Sequence, residues 1–216
     1  MSVKAIIFDL DGTLLNTLDD LADSMNRVLF AMGFPLHPTS AYKYFVGDGI
    51  EKLASRVLPE NHRDKTTVER CVAGMTHEYG THWQDKTCLY DGIDEMLSAL
   101  SDRKVSLNIL SNKPDALTRI TVSTFFASYG FAIITGARKG IPKKPDPTSA
   151  FHIANSLNIP THQFLYLGDT KTDMETATGA GMFALGALWG FRTASELRES
   201  GAQALLEQPI EILNYL

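Results

Sequence analysis

The amino-acid sequence predicts an α/β fold, in which a doubly wound parallel sheet carries an inserted α-helical domain. Three observations support this prediction. Apolar segments of strand length alternate with helical segments in residues 89–216, as in successive βαβ units. The first strand is separated from them by residues 16–88, which carry only helical spacing. Polar residues directly follow several predicted strands, where an open α/β sheet places its ligand crevice.

The composition is that of a globular protein. With 216 residues, of which 44% are hydrophobic, the chain can bury a full core. Its formal net charge of -5 argues against nonspecific binding to nucleic acid, which requires basic surfaces. No segment approaches the ~18 consecutive apolar residues of a membrane span, and the first apolar run is too short for a signal peptide. We therefore expect a cytoplasmic protein in which Cys71 and Cys88 are ordinary thiols.

The first predicted strand is the apolar run 6–8, which leads directly into Asp9 and Asp11. Two acids with one residue between them can supply a nucleophile and a neighbouring proton donor. Gly12 allows the backbone to turn sharply, which brings a main-chain carbonyl near a bound cation. The alternative interpretation is that Asp11 and Gly12 only form a turn after the strand.

Residues 16–88 are predicted to form a helical domain. Apolar residues at helical spacing predict a helix over 17–32, which Gly33 ends. The remaining helices of this domain are predicted to begin at Thr39 or Ser40, to run through residues 50–57, and to span residues 61–83.

The segment Val46–Ile50 places two glycines around Asp48 between two of these helices. It is predicted to be a flexible tip that closes over the crevice and excludes bulk water. Nearby Lys43, Lys52 and Arg56 are candidates for binding a substrate carboxylate, although such side chains on a helix are more often only solvated.

Residues 1–15 and 89–216 are predicted to form the α/β core domain. A helix after Gly92 leads into a strand at 105–110, and another helix follows Pro114. The later strands are predicted at 131–134, 164–167 and 182–188, and the later helices at 147–157 and 171–180.

Polar residues after the later strands have the chemistry of a phosphate site. Ser111 and Asn112 can bind phosphoryl oxygens through a hydroxyl and backbone amides, although Ser111 can also cap a helix. Lys144 precedes a rigid proline and can place one positive charge on a transferring phosphoryl group, unless it is simply solvated.

Asp169 directly follows a predicted buried strand, so its carboxylate can join Asp9 in holding magnesium (Mg²⁺). Asp173 lies four residues further on and can support this site from the first turn of a helix. Its alternative role is to place a negative charge at the helix N-terminus.

In order and spacing these groups resemble the four motifs of the haloacid dehalogenase-like superfamily. The motifs are Asp9-Leu10-Asp11-Gly12-Thr13, Ser111, Lys144-Pro145, and Gly168-Asp169 with Asp173. The resemblance implies a Rossmann-like core with an α-helical cap of the first type. Thr13-Leu14 and the segment 46–50 look most like phosphoglycolate phosphatases. The chain departs from the common hinge pattern at Asn16-Thr17 and at Asp91.

The resemblance further implies a two-step hydrolysis. Asp9 would attack phosphorus and form an aspartyl-phosphate, while Asp11 would protonate the leaving oxygen and then activate water. Mg²⁺ would be held by Asp9, the backbone carbonyl of Asp11 and Asp169, with Thr13 and Asp173 supporting these ligands.

The resulting hypothesis is a Mg²⁺-dependent phosphatase for a small phosphorylated metabolite, with 2-phosphoglycolate as the best single substrate. One alternative is a phosphomutase of the β-phosphoglucomutase type, but this chain has Leu21 where such mutases carry a histidine. Another is a non-catalytic phosphate-sensing module, which loss of Asp9 or Asp11 would have favoured. No nucleic acid or membrane partner is predicted, and the sequence is compatible with a monomer or a homodimer.

Overall fold

The computed structural model describes residues 2–216, which form two compact units. Of the described residues, one unit comprises 2–15 and 89–216, and the other comprises Asn16–Cys88. Two short strands, β2 (Leu15–Asn16) and β3 (Cys88–Leu89), pair as a two-stranded sheet where the chain passes from one unit to the other. Across residues 2–216, no helix has the length and apolar character needed to span a membrane.

The first unit contains a six-stranded parallel sheet, which confirms the predicted α/β class. The strand order is β5-β4-β1-β6-β7-β8, so β1 lies between β4 and β6. The strands are β1 (Ala5–Phe8), β4 (Ser106–Pro114), β5 (Phe131–Ala137), β6 (Phe164–Gly168), β7 (Phe183–Ala187) and β8 (Ala204–Leu206).

Strand β1 is buried on both of its faces, which explains its uninterrupted apolar sequence. Ile6 and Phe8 pack into one hydrophobic cluster, which includes residues of the helices α5 and α6. Ala5 and Ile7 pack into a second cluster on the other face, with residues of α7, α8 and α9. These helices are α5 (Ile93–Asp102), α6 (Asp115–Phe125), α7 (Thr148–Leu157), α8 (Lys171–Gly179) and α9 (Ala194–Glu199). The sheet is therefore doubly wound.

Strand β8 and helix α9 of this unit were not predicted, and the sequence indicated five strands where the sheet has six. Strand β8 contains only three residues at the edge of the sheet, too few to show a periodic pattern. Helix α9 contains six residues, of which only Leu197 is buried. Its start does carry a signal, since Thr193 and Glu196 form a capping box.

Strand β4 is longer than predicted, and this changes the placement of three polar residues. Its predicted end was residue 110, but the strand continues to Pro114. Ser111, Asn112 and Lys113 therefore lie within the strand, where its register to β5 shifts between Leu110 and Pro114. Such an irregularity redirects side chains at the end of a strand.

The second unit is helical, with α1 (Leu18–Met32), α2 (Thr39–Phe45), α3 (Ile50–Val57) and α4 (Lys65–His82). Gly33 ends α1 in the left-handed conformation, with φ of 76°. The predicted helix over 61–83 begins later, because a 3₁₀ turn occupies Glu60–His62 and Asp64 caps α4 by accepting from Thr67 N at 3.0 Å.

The segment between α2 and α3 is braced from within its own unit. Gly47 and Gly49 both have positive φ angles, 113° and 88°, which only glycine adopts readily. Arg56 on α3 forms an ion pair with Asp48 at 2.5 Å and donates to the carbonyl of Phe45 at 3.1 Å. The predicted flexible tip therefore has a fixed attachment on both sides of Gly47.

Candidate active site

The candidate site lies at the carboxyl ends of neighbouring strands in the first unit. Asp9 directly follows β1, and its backbone N–H donates to Leu167 O of β6 at 2.9 Å. Asp169 directly follows β6. Because β1 and β6 are adjacent and parallel, two acids that are far apart in sequence emerge side by side.

The chain turns back sharply after Asp9. Gly12 has a φ of 90°, and its N–H donates to Leu15 O at 2.8 Å. A Cβ at Gly12 would collide with the Asp169 carboxylate and with the ring of Phe191. A glycine is therefore required here both for the turn and for the close approach of the backbone to Asp169.

Lys144 joins the site as a fully enclosed cation. Its Nζ lies 2.8 Å from Asp9 Oδ1 and 2.7 Å from Asp173 Oδ1, and its side chain is 2% exposed. Burial acts to lower the pKa of Lys144, but the charges of Asp173 and Asp9 outweigh it and hold the pKa well above its ordinary value. Lys144 is therefore expected to carry its positive charge at neutral pH.

Asn112 fixes the backbone of Lys144. The amide oxygen of Asn112 accepts from Lys144 N at 2.9 Å, and its amide nitrogen donates to Lys144 O at 3.1 Å. These two bonds tie the Asn112 side chain to the backbone of Lys144. Ser111 accepts from Lys113 N at 3.1 Å through its Oγ, which keeps its O–H proton available to donate.

Asp169 is held at both oxygens. Thr13 Oγ1 donates to Oδ1, and the backbone N–H of Phe191 donates to Oδ2, each at 2.9 Å. Burial and the neighbouring charge of Asp173 nevertheless raise the pKa of Asp169 to about 7. Burial, together with Asp173, also raises the pKa of Asp9 well above its ordinary value.

Asp173 is anchored behind the other two acids. Its Oδ2 accepts from the N–H and the hydroxyl of Thr170, at 3.0 and 2.6 Å, and the bond from the N–H is part of a capping box at the start of α8. Its Oδ1 is the partner of Lys144. Both oxygens therefore already have hydrogen-bond partners, and the supporting role of Asp173 stays a prediction.

The donor set fits a hard divalent cation. Carboxylate oxygens of Asp9, Asp169 and Asp173 all lie within 4.8 Å of one another, and all three residues are buried. Lys144 forms ion pairs with Asp9 and Asp173 of this group. Buried carboxylate oxygens clustered in this way are the hard ligands that Mg²⁺ prefers.

Asp11 is separated from this group. Its Oδ1 lies 2.9 Å from Lys113 Nζ. Among the described residues, Asp11 does not belong to the set of acids that could hold a metal ion. Lys113 is therefore a site residue that sequence reasoning missed. The sequence did contain a signal for Lys113, since this residue directly follows Ser111 and Asn112. The strand was predicted to end before it, so the direction of the Lys113 side chain was not predicted.

Comparison with known proteins decides the family. A profile of the haloacid dehalogenase-like hydrolases matches residues 6–187, a span that includes all of the site residues described above except Phe191. The chain belongs to this family. It is therefore a hydrolase of the haloacid dehalogenase-like type, as its four motifs predict.

Similar proteins of this family cover the whole chain. A phosphoglycolate phosphatase of Haemophilus influenzae is 27% identical, over 99% of this chain and 98% of its own length. One of Psychrobacter arcticus is also 27% identical, over 100% of this chain and 96% of its own.

Solved structures share the haloacid dehalogenase-like fold. One from Lactobacillus delbrueckii, described as a candidate phosphoglycolate phosphatase, has a TM-score of 0.94 and 27% identity, and the match covers 100% of this chain and 98% of that one. One from Haemophilus somnus has a TM-score of 0.92 and 24% identity, with the same coverage.

Proposed function

We propose that this hydrolase is a Mg²⁺-dependent phosphatase that releases phosphate from a small phosphorylated metabolite. The observation that carries the proposal is the buried carboxylate of Asp9, which lies 2.8 Å from the ammonium of Lys144 and within 4.8 Å of the oxygens of Asp169 and Asp173. This arrangement combines a nucleophile with fixed positive charge and a set of cation ligands.

In the first step, Asp9 attacks phosphorus and forms an aspartyl-phosphate, while the bond to the leaving oxygen breaks. Lys144 holds Asp9 through Oδ1, so Oδ2 is the oxygen directed to the attack. The same ammonium stabilises the negative charge on the transferring phosphoryl oxygens, and the Ser111 hydroxyl donates to one of them.

Asp11 acts as the general acid in the first step and as the general base in the second. In the first it protonates the leaving oxygen, and in the second it removes a proton from the water that attacks the aspartyl-phosphate. Its side chain suits this role because it stands apart from Asp9, Asp169 and Asp173.

Asp9, Asp169 and the backbone carbonyl of Asp11 would hold Mg²⁺, with Asp173 and Thr13 keeping these ligands in place. When bound, the cation draws charge from the phosphoryl oxygens and offsets the repulsion between the acids. Gly12 and Gly190 allow the backbone to pass close to Asp169, since a Cβ at either position would collide with that side chain.

We propose 2-phosphoglycolate as the substrate, with glycolate and phosphate as products. The support is the full-length similarity to proteins named phosphoglycolate phosphatase. Of the candidate carboxylate-binding residues, Arg56 forms an ion pair with Asp48 in the structure, so its use for substrate would require that pair to be shared or broken. Lys43 and Lys52 remain candidates.

A turnover screen tests this proposal. Purified protein is incubated with Mg²⁺ and a panel of phosphorylated two- to six-carbon metabolites, and released phosphate is measured. We expect the highest kcat/KM for 2-phosphoglycolate, and an Asp9→Asn variant should lose turnover almost completely. An absence of phosphate release from every substrate would overturn the proposal, and so would transfer of the phosphoryl group to a second hydroxyl, as in a mutase.

A further inference from the structure

Lys113 is a buried lysine whose role the proposed mechanism does not use. Its side chain is 3% exposed, whereas that of Asp11 is 20% exposed, and their charged atoms are 2.9 Å apart. Enclosing an ammonium is costly unless a partner of opposite charge compensates for the lost water. The pair therefore fixes the Asp11 carboxylate against a rigid part of the core.

The backbone of Lys113 is held on both sides. Its N–H donates to Ser111 Oγ at 3.1 Å, and its carbonyl accepts from Thr118 Oγ1 on α6, also at 3.1 Å. The residue lies at the irregular end of β4, which directs its side chain toward the loop after β1. A side chain with an anchored backbone and no access to water can hold its partner in one direction.

The direction matters because of the three acids nearby. Asp11 is two residues from Asp9, and a carboxylate so placed would be drawn to any divalent cation held by Asp9, Asp169 and Asp173. A carboxylate bound to the cation could not serve as a proton donor and acceptor. Lys113 provides a competing positive charge, 2.9 Å from Asp11 Oδ1.

We propose that Lys113 is a positioning residue, which keeps the Asp11 carboxylate out of the cation site and leaves its Oδ2 free to transfer protons. The proposal rests on the proposed phosphatase function, and it makes Lys113 necessary for the acid-base role of Asp11. It also explains why the Asp11 backbone carbonyl, and not its side chain, would face the cation.

Calorimetric titration of the intact protein with MgCl₂, without substrate, is the first test. In Lys113→Met the released Asp11 carboxylate joins the cation site, so Mg²⁺ affinity should rise by about tenfold. The double variant Lys113→Met with Asp11→Asn should return to the affinity of Asp11→Asn alone. Lys139→Met, which changes an exposed lysine of the same unit, should bind Mg²⁺ like the parent.

Leaving-group dependence is the second test. An acid that protonates the leaving oxygen matters for an alkyl phosphate and little for p-nitrophenyl phosphate, whose leaving group is already a weak base. Lys113→Met should therefore reduce kcat/KM at least about tenfold more for the alkyl ester. Lys113→Arg, which keeps the charge, should recover part of that loss.

Unchanged Mg²⁺ affinity in a folded Lys113→Met protein would overturn the proposal, as would equal losses on the two esters. If Lys113→Met does not fold, Lys113→Gln carries the same measurements, since it keeps a donor without the charge. If the parent hydrolyses neither ester, the proposed function fails, while the calorimetric titrations still decide whether Lys113 keeps Asp11 away from the cation.

Discussion

At the scale of single residues, four aspartates with the same side chain are distinguished by their partners. Asp9 and Asp173 share Lys144, and Asp169 accepts from Thr13 and from the backbone of Phe191. Asp11 pairs with Lys113. These partners determine which carboxylate can attack, which can bind a cation and which can move a proton.

Asp11→Asn should lower turnover without removing the cation. The amide cannot donate or accept a proton as the acid does, so we expect kcat to fall by about 10²–10⁴. Mg²⁺ should still bind, because the backbone carbonyl is the expected ligand. Calorimetric titration compares the Mg²⁺ affinity of the two proteins. A loss of affinity in the variant would show that the Asp11 side chain is a ligand.

Asp115→Asn should weaken the acid dependence of stability. Burial acts to raise the pKa of Asp115, but hydrogen bonds from Arg119, Arg138 and Gly136 lower it from 3.8 to about 2. A lowered pKa gives stability that is present above about pH 4 and is lost as the pH falls toward 2. The variant should be less stable at pH 7, on the order of 1 kcal/mol after screening by solvent.

Denaturant unfolding at pH 7, 4 and 2.5 checks this expectation for Asp115. The difference in free energy of unfolding between parent and variant should shrink at the lowest pH, where the parent carboxylate becomes protonated. A difference that stays constant over this range would show that the ion pairs of Asp115 do not control acid stability. Asp19→Asn, which changes an exposed acid in the first turn of α1, serves as the control.

At the scale of elements, the strand ends and the loops between helices set where these side chains point. The segment 46–49 depends on Arg56, which reaches both Asp48 and the carbonyl of Phe45. Arg56→Lys keeps the charge but loses the fork that makes both contacts. Because the pair is partly exposed, we expect a change of less than about 1 kcal/mol in global stability.

The local effect of Arg56→Lys should be larger than the global one. Amide hydrogen exchange at residues 46–50 should accelerate several-fold, while exchange in α4 stays at the parental rate. Parental exchange in this loop would show that Arg56 does not brace it. Whether the loop selects the substrate stays a prediction from the sequence.

The elements also show what could be read from the sequence and what could not. Strand β1 is buried on both faces, so its apolar run predicts both the strand and the position of Asp9. The pairing of Lys113 with Asp11 depends on a register shift in β4 that leaves no pattern in the sequence. The hydrogen bond from Phe191 to Asp169 comes from a backbone N–H. Every residue except proline carries this group, so the residue type gives no sign of the bond.

At the scale of the whole molecule, the clustered acids oppose folding and a bound cation should favour it. A ligand at about 100 times its dissociation constant stabilises the folded state by about 2.7 kcal/mol. For a chain of this size that corresponds to a rise in Tm of roughly 5–10 °C. Thermal unfolding with Mg²⁺ and with EDTA measures the difference.

Asp169→Asn is the informative comparison for the Mg²⁺ effect on Tm. The variant removes one acid from the group of Asp9, Asp169 and Asp173, so it should unfold at a higher temperature than the parent in EDTA. Its Tm should respond much less to Mg²⁺. An equal response in both proteins would remove Asp169 from the cation site.

The strand order has a consequence for synthesis on the ribosome. Strand β1 is synthesised first, but one of its neighbours in the sheet is β6. The separation is large, since Thr13 after β1 and its partner Asp169 after β6 are 156 residues apart. At about 5–20 residues per second, the nascent chain waits roughly 8–30 s for that segment. During this time one edge of an apolar strand has no partner within the chain, so newly made protein should depend on chaperones more than refolded protein does.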